Sequence, residues 1–164
     1  MADKNNTDLS LKCSPGRWIY HSSMSYVYFL VQLVCMAGII FAGDFVPDGL
    51  VGFALITAAA ALMVWALLYM RLGNLHVLPE LKHKSVFVTS GPYRVIRHPM
   101  YAASMLAMIG FLIDQPSLLR GALLVILVID LYLKMLYEER QLIQRFSSYR
   151  DYMKNTKRFI PFVF

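Results

Sequence analysis

The sequence is poor in cysteine, with only Cys13 and Cys35 among 164 residues. They form no CxxC pair and no zinc-ligand spacing, so neither a disulfide framework nor a structural metal site organises the chain. No GxGxxG run is present, which removes the phosphate-cradling turn of a dinucleotide-type fold. No CaaX box ends the chain, so it is not expected to be a prenylation target. Internal repeats and low-complexity tracts are also missing. Charge is scarce, at 16% of residues, while 58% are hydrophobic.

What remains is apolar and long. Four stretches stand out: Tyr26–Phe41, Leu50–Met70, Met100–Ile113 and Leu118–Leu136. The second carries no charge and is long enough to cross a ~30 Å hydrocarbon core. The first and fourth approach that length, and the third reads as half of a helical hairpin. These features imply an all-α polytopic membrane protein with about four spans, the last two forming the hairpin. A secretory signal is not expected, because the first residues are polar and no cleavage site follows Tyr26–Phe41.

The net charge of +6 would suit a nucleic-acid binder, but its distribution suits a membrane. Lys and Arg gather at Lys4–Arg17, Arg71–Arg97 and Lys134–Arg158, whereas Gly43–Gly49 holds two Asp and no cation. Four spans put all three basic segments on one side, which the positive-inside tendency makes cytoplasmic, with both termini.

Along the chain, residues 1–20 read as a polar tail in which Pro15-Gly16 breaks any helix. Residues 21–164 form one domain. Pro47-Asp48-Gly49 is a tight turn. Arg71–His98 is a long loop of the kind that carries function, with "SVFVT" at Ser85–Thr89 extended. Ser117 is placed to cap a fourth helix running without a breaker to Arg145. At 1.5 Å per residue that helix is roughly 40 Å long and must project beyond the membrane.

Chemistry concentrates in two places. In "GPYRVIRHPMY", Pro99 biases His98 away from helical angles and suits the first helical position itself. A third helix therefore starts at Pro99, and its free N–H groups and positive dipole end favour an anionic or acceptor-rich ligand. The plainer alternative is a proline-started helix with an interfacial Tyr and snorkelling Arg side chains. In "DLYLKMLYEERQL", Asp130, Lys134 and Glu138 share one helix face at i, i+4 and i+8. They form either a self-satisfying ion-pair ladder or part of a wet intramembrane site. An antiparallel hairpin brings Lys134 and Glu138 level with His98.

"VTSGPYRVIRHPMYAASML" followed by "EERQLIQRF" and "RFIP" resembles the isoprenylcysteine carboxyl methyltransferase and phospholipid methyltransferase family over about residues 74–161. The resemblance implies an integral membrane methyltransferase using S-adenosylmethionine, with no metal and no nucleic acid. It implies cofactor contacts from Val86, Phe87, Val88, Tyr93, His98, Pro99, Met100, Tyr101 and Glu138. Lys134 stands where the prenylcysteine enzymes carry a substrate-contacting arginine. Lys134 or Arg97 would orient an anionic part of a lipid-like acceptor arriving from the bilayer. Lysine lacks the bidentate fork suited to a carboxylate, so the acceptor stays open between acid, amine and thiol. Two further departures are Ala103 in place of a glycine and the shortened "FSSYRDY"; the latter points to a bacterial-type relative and an inner-membrane location. Two rival classes remain: an NADPH-dependent membrane reductase sharing an RHP-like element, and a non-catalytic scaffold.

Overall fold

A computed structural model describes residues 15–70, 88–146 and 148–159. Among them are five α-helices: α1 Pro15–Phe41, α2 Leu50–Met70, α3 Pro99–Asp114, α4 Leu118–Arg145 and α5 Tyr149–Asn155. A short 3-10 turn covers Gly91–Arg94. The all-helical class holds. Among the described residues the one departure from helix pairing is an isolated parallel bridge between Ile96 and Lys157.

Local chemistry sets the helix ends. Proline locks φ near the helical value and has no N–H to lose, so α1 and α3 both begin on one. At α1 this corrects the sequence expectation: Pro15 starts a helix where Pro15-Gly16 was read as breaking one. The Ser117 hydroxyl accepts from Arg120 N at 3.2 Å and caps α4. Asp114 closes α3, and its carboxylate accepts from Gly49 N at 2.7 Å and Asp48 N at 3.3 Å. An anion at the start of α2 complements that helix's positive end.

Packing occurs in two pairs. The most extensive contacts run between α2 and α3 and between α1 and α4, with α3 touching both α1 and α4. The expected α3–α4 hairpin therefore exists in connectivity, yet each of its helices packs mainly on another partner. Glycine explains the tightness of α2 on α3. A Cβ on Gly52 would lie 3.1 Å from Gly110 O, and one on Gly110 would lie 3.1 Å from Gly52 O. The two backbones touch where side chains are missing. Cys35 and Ile39 from α1, Met108 and Phe111 from α3, and Leu127 and Leu131 from α4 fill the centre.

Met24–Phe41 and Leu50–Met70 are long and apolar enough to cross a membrane. Helix α4 carries three charges in its apolar part, but Arg120, Asp130 and Lys134 are 1%, 6% and 5% exposed. Its outer surface is instead Leu118, Leu119, Val125, Ile126, Ile129 and Leu133. Exposed apolar surface of this extent on every long helix suits lipid better than water. Arg120 donates to Ile39 O at 3.0 Å, Phe111 O at 2.9 Å and Gln115 O at 3.1 Å. It thus places its positive charge at the C-terminal ends of α1 and α3, where helix dipoles favour a cation.

Candidate functional site

The up-and-down order of the helices brings the start of α1, the end of α2, the start of α3 and the end of α4 to one end of the bundle. A cavity of about 250 Å³ lies there. That is slightly below the ~300–1,000 Å³ usual for pockets enclosing a whole small molecule. Tyr93, Arg97 and His98 line it from the segment before α3, and Met100, Tyr101 and Ser104 from α3. Lys134 and Glu138 of α4 complete the polar wall. Phe29 and Gln32 of α1 and Met63 and Met70 of α2 also line it, four residues that motif reading did not single out. Their positions in apolar helices carry no local signal of function.

Backbone conformation holds the Gly91–Arg94 turn in place. Gly91 has φ +61, and a Cβ there would meet the Tyr69 ring at 2.4 Å. Only glycine fits a left-handed residue pressed against α2. The C-terminal segment clamps the same region from the other side. Arg97 N donates to Lys157 O at 2.7 Å, His98 N to Arg158 O at 3.1 Å, and Lys157 N to Val95 O at 3.1 Å. Tyr152 Oη donates to Tyr93 O at 2.5 Å. Burial pushes the Tyr152 phenol up to about 12, so this donor keeps its proton.

The sequence-derived residues separate into groups. Arg97 turns out to be occupied: its Nε donates to Glu139 Oε1 at 2.7 Å, and its Nη1 to Met153 O at 3.2 Å and to Thr156 O. Its side chain is 7% exposed and that of Glu139 is 4% exposed. Arg97 thereby ties the start of α3 to α4 and to the C-terminal segment. Glu139 was overlooked because a second glutamate on a helix normally faces water. Here it meets Arg97, lies 3.5 Å from Arg158 Nη2 and lies 3.6 Å from His98 Nε2. Glu139 stands past Leu136, where the apolar part of α4 ends. Burial alone would raise its carboxyl, but the His98 ring and the Arg97 guanidinium outweigh that and hold it at about 2. The His98 separation is too long for a hydrogen bond, so the geometry puts most of this effect on Arg97.

Glu138, one residue earlier, faces the cavity. Its Oε1 accepts from Tyr101 Oη at 2.5 Å, and its Oε2 lies 3.9 Å from His98 Nδ1. The His98 and Tyr101 rings stack with centroids 5.3 Å apart. Two buried polar atoms on this wall, Tyr93 Oη and His98 Nε2, have no hydrogen-bond partner among the described residues. Buried polar atoms are rarely left so. Burial, then the neighbouring Tyr152 and Glu138, raise the Tyr93 phenol above its ordinary range. It therefore remains a donor in want of an acceptor.

Lys134 breaks the expected ladder. No ion pair joins it to Asp130 or Glu138 among the described residues; Nζ instead donates to Gln32 Oε1 at 3.0 Å. It lies 5.2 Å from the centroid of the Tyr101 ring and 5.9 Å from that of Phe29. Asp130 points inward with Oδ2 unpartnered among the described residues. Pro99 is buried at the helix start. Val88 does not line the cavity, and Val86 and Phe87 lie outside the described residues. No group of three or more metal-ligating side chains occurs among the described residues.

The geometry defines a bundle of long apolar helices with a polar cavity at one end, walled in part by Tyr93, His98 and Glu138. Comparison with known proteins gives this class a family. Residues 48–149 match the phospholipid methyltransferase (PEMT) family, and the chain belongs to it. The family is one of methyltransferases, and the match contains every cavity-lining residue except those on α1. Among curated proteins, the nickel-cobalt-cadmium resistance protein NccN of Alcaligenes xylosoxydans xylosoxydans is 27% identical over 112 residues, 68% of this chain and 48% of that protein. The cobalt-zinc-cadmium resistance protein CzcN of Cupriavidus metallidurans is 31% identical over 81 residues, 49% of this chain and 38% of that protein. The alignments thus span less than half the length of either relative.

Proposed function

We propose that the protein is an S-adenosylmethionine-dependent methyltransferase acting on a lipophilic acceptor at the cytoplasmic face of a bacterial inner membrane. The observation that carries this reading is the wall made by Glu138, His98 Nε2 and Tyr93 Oη, one anion beside two unsatisfied buried groups. A ligand bearing both an ammonium and acceptor atoms fits that set. Glu138 binds the ammonium. His98, with the free N–H groups at the start of α3, binds carboxylate or other acceptor atoms. Tyr93 and Tyr101 pack against the remainder.

The cofactor supplies a methyl already activated on a sulfonium, so the protein's task is alignment and exclusion of water rather than acid–base activation. Met63 and Met70 of α2 and Met100 of α3 give the cavity apolar surface that disfavours water. Lys134 orients the acceptor within reach of the cofactor end. Arg97 acts at one remove, by fixing the segment that presents His98. Four membrane crossings accompany this reading. They rest on the two long apolar helices, the inward charges of α4 and the clustering of cations at the cavity end.

Calorimetry with S-adenosylhomocysteine tests the reading. Glu138→Gln removes one charge-assisted contact worth ~1.5–3 kcal/mol, so affinity should fall roughly ten- to a hundredfold. Unchanged affinity in both Glu138→Gln and His98→Ala, or binding of NADPH instead, would refute it.

A further inference from the structure

The family match begins at residue 48, so all of α1 lies outside it. Yet α1 sends Phe29 and Gln32 into the cavity. Gln32 Oε1 accepts a hydrogen bond from Lys134 Nζ, whereas no ion pair joins Lys134 to the two carboxylates on its own helix among the described residues. The Lys134 side chain is 5% exposed, and a buried cation ordinarily needs an anion. Here its direct contacts are an amide oxygen and two aromatic faces, while the Glu138 and Asp130 carboxylates act on it from longer range. An ammonium carries three donors, and the described residues engage one. Gln32 Nε2 is similarly underused, its partner among the described residues being the weak thioether acceptor of Met36 at 3.9 Å.

We infer that Gln32 is a specificity-determining residue, forming with Lys134 a donor-only clamp that selects acceptors with an oxyanion headgroup over those with an ammonium. Gln32 Oε1 positions the Lys134 ammonium over the cavity, and the remaining N–H groups of both side chains point lone-pair-rich ligands toward them. A carboxylate or phosphate oxygen satisfies these donors, while an alkylammonium placed there meets the like charge of Lys134 and competes with the cofactor for Glu138. Phe29, Met63 and Met70 offer apolar surface to the hydrocarbon of the same molecule. The inference takes the cavity as an acceptor site and so rests on the methyltransferase reading. The clamp itself is defined without the cofactor.

Dodecanoate and dodecylamine are matched probes differing in headgroup. Their affinities for the full chain in nanodiscs at near-neutral pH, with and without S-adenosylhomocysteine, give an acid-to-amine preference. The wild type should prefer the acid by at least about tenfold, the scale of one charge-assisted hydrogen bond. Gln32→Glu neutralises Lys134 with an ion pair and should cut that preference about tenfold or more. Gln32→Met keeps the length without the amide and should weaken the acid alone; it also serves if Gln32→Glu fails to fold. A merely structural role would weaken both probes together. Equal binding of acid and amine by the wild type, or a preference that survives both substitutions, overturns the inference. Loss of S-adenosylhomocysteine binding with the acid preference intact would uphold the clamp and overturn the cofactor assignment instead.

Discussion

Glu139 and Glu138 are neighbours in sequence with opposite duties, and Glu139→Gln separates them. The amide keeps the size of the side chain and removes its charge. Arg97 then stays buried, still held by the carbonyls of Met153 and Thr156 but facing no anion. Breaking a buried pair from one side typically costs ~3–5 kcal/mol. The Arg158 contact at 3.5 Å and the His98 approach at 3.6 Å weaken as well. At ~2–4 °C per kcal/mol for a chain of this size, melting should drop by about 6–20 °C. The C-terminal segment should also become accessible to protease near Lys157. Glu138→Gln, whose carboxylate accepts from a neutral phenol, should shift melting far less and strike cofactor affinity instead. Thermal unfolding in detergent, scored beside S-adenosylhomocysteine affinity, reads both effects. A double-mutant cycle of Glu139→Gln with Arg97→Met should show strong coupling. A melting change of less than about 2 °C, or additivity in that cycle, would show that the Arg97–Glu139 pair does not anchor the site.

The pH dependence has a defined sign. Glu139 is held at about 2, below its unfolded value near ~4.3, so the unfolded chain takes up the proton first on acidification. This contribution, of order 3 kcal/mol, is complete above the unfolded pKa and disappears as pH falls toward 2; denaturant midpoints between pH 6 and pH 3 should fall less steeply in Glu139→Gln. Gly91→Ala adds a Cβ that meets Tyr69 at 2.4 Å on a backbone with φ +61, and should lower stability by ~1–2 kcal/mol from conformation alone. Tyr69→Ala in the same chain should recover the clash and leave that remainder, as judged by melting temperature. In a background lacking Cys13 and Cys35, Val46→Cys and Asn155→Cys should label from opposite sides of the membrane. Labelling of both by an impermeant reagent from one side refutes the four-span topology.

Local chemistry made several boundaries legible before any packing was known. Pro99 starts α3 and Ser117 caps α4, because proline's ring and a serine hydroxyl act on backbone within one turn. The 28-residue length of α4 followed from the lack of a breaker up to Arg145. The same local reasoning failed at Pro15, since a proline that stops one helix is equally suited to start the next. The motif residues His98, Tyr101 and Glu138 were found from the sequence, and the fold brings them to one cavity. Other features depended on long-range contacts. Helical spacing put Asp130, Lys134 and Glu138 on one face, but only the arrival of Gln32, 102 positions away, decided which way the lysine turns. Two adjacent glutamates look alike in the chain. A helix rotates about 100° per residue, so the fold points one into the cavity and the other against Arg97. Periodicity names a face, and only the neighbour packed against that face determines what its charges do.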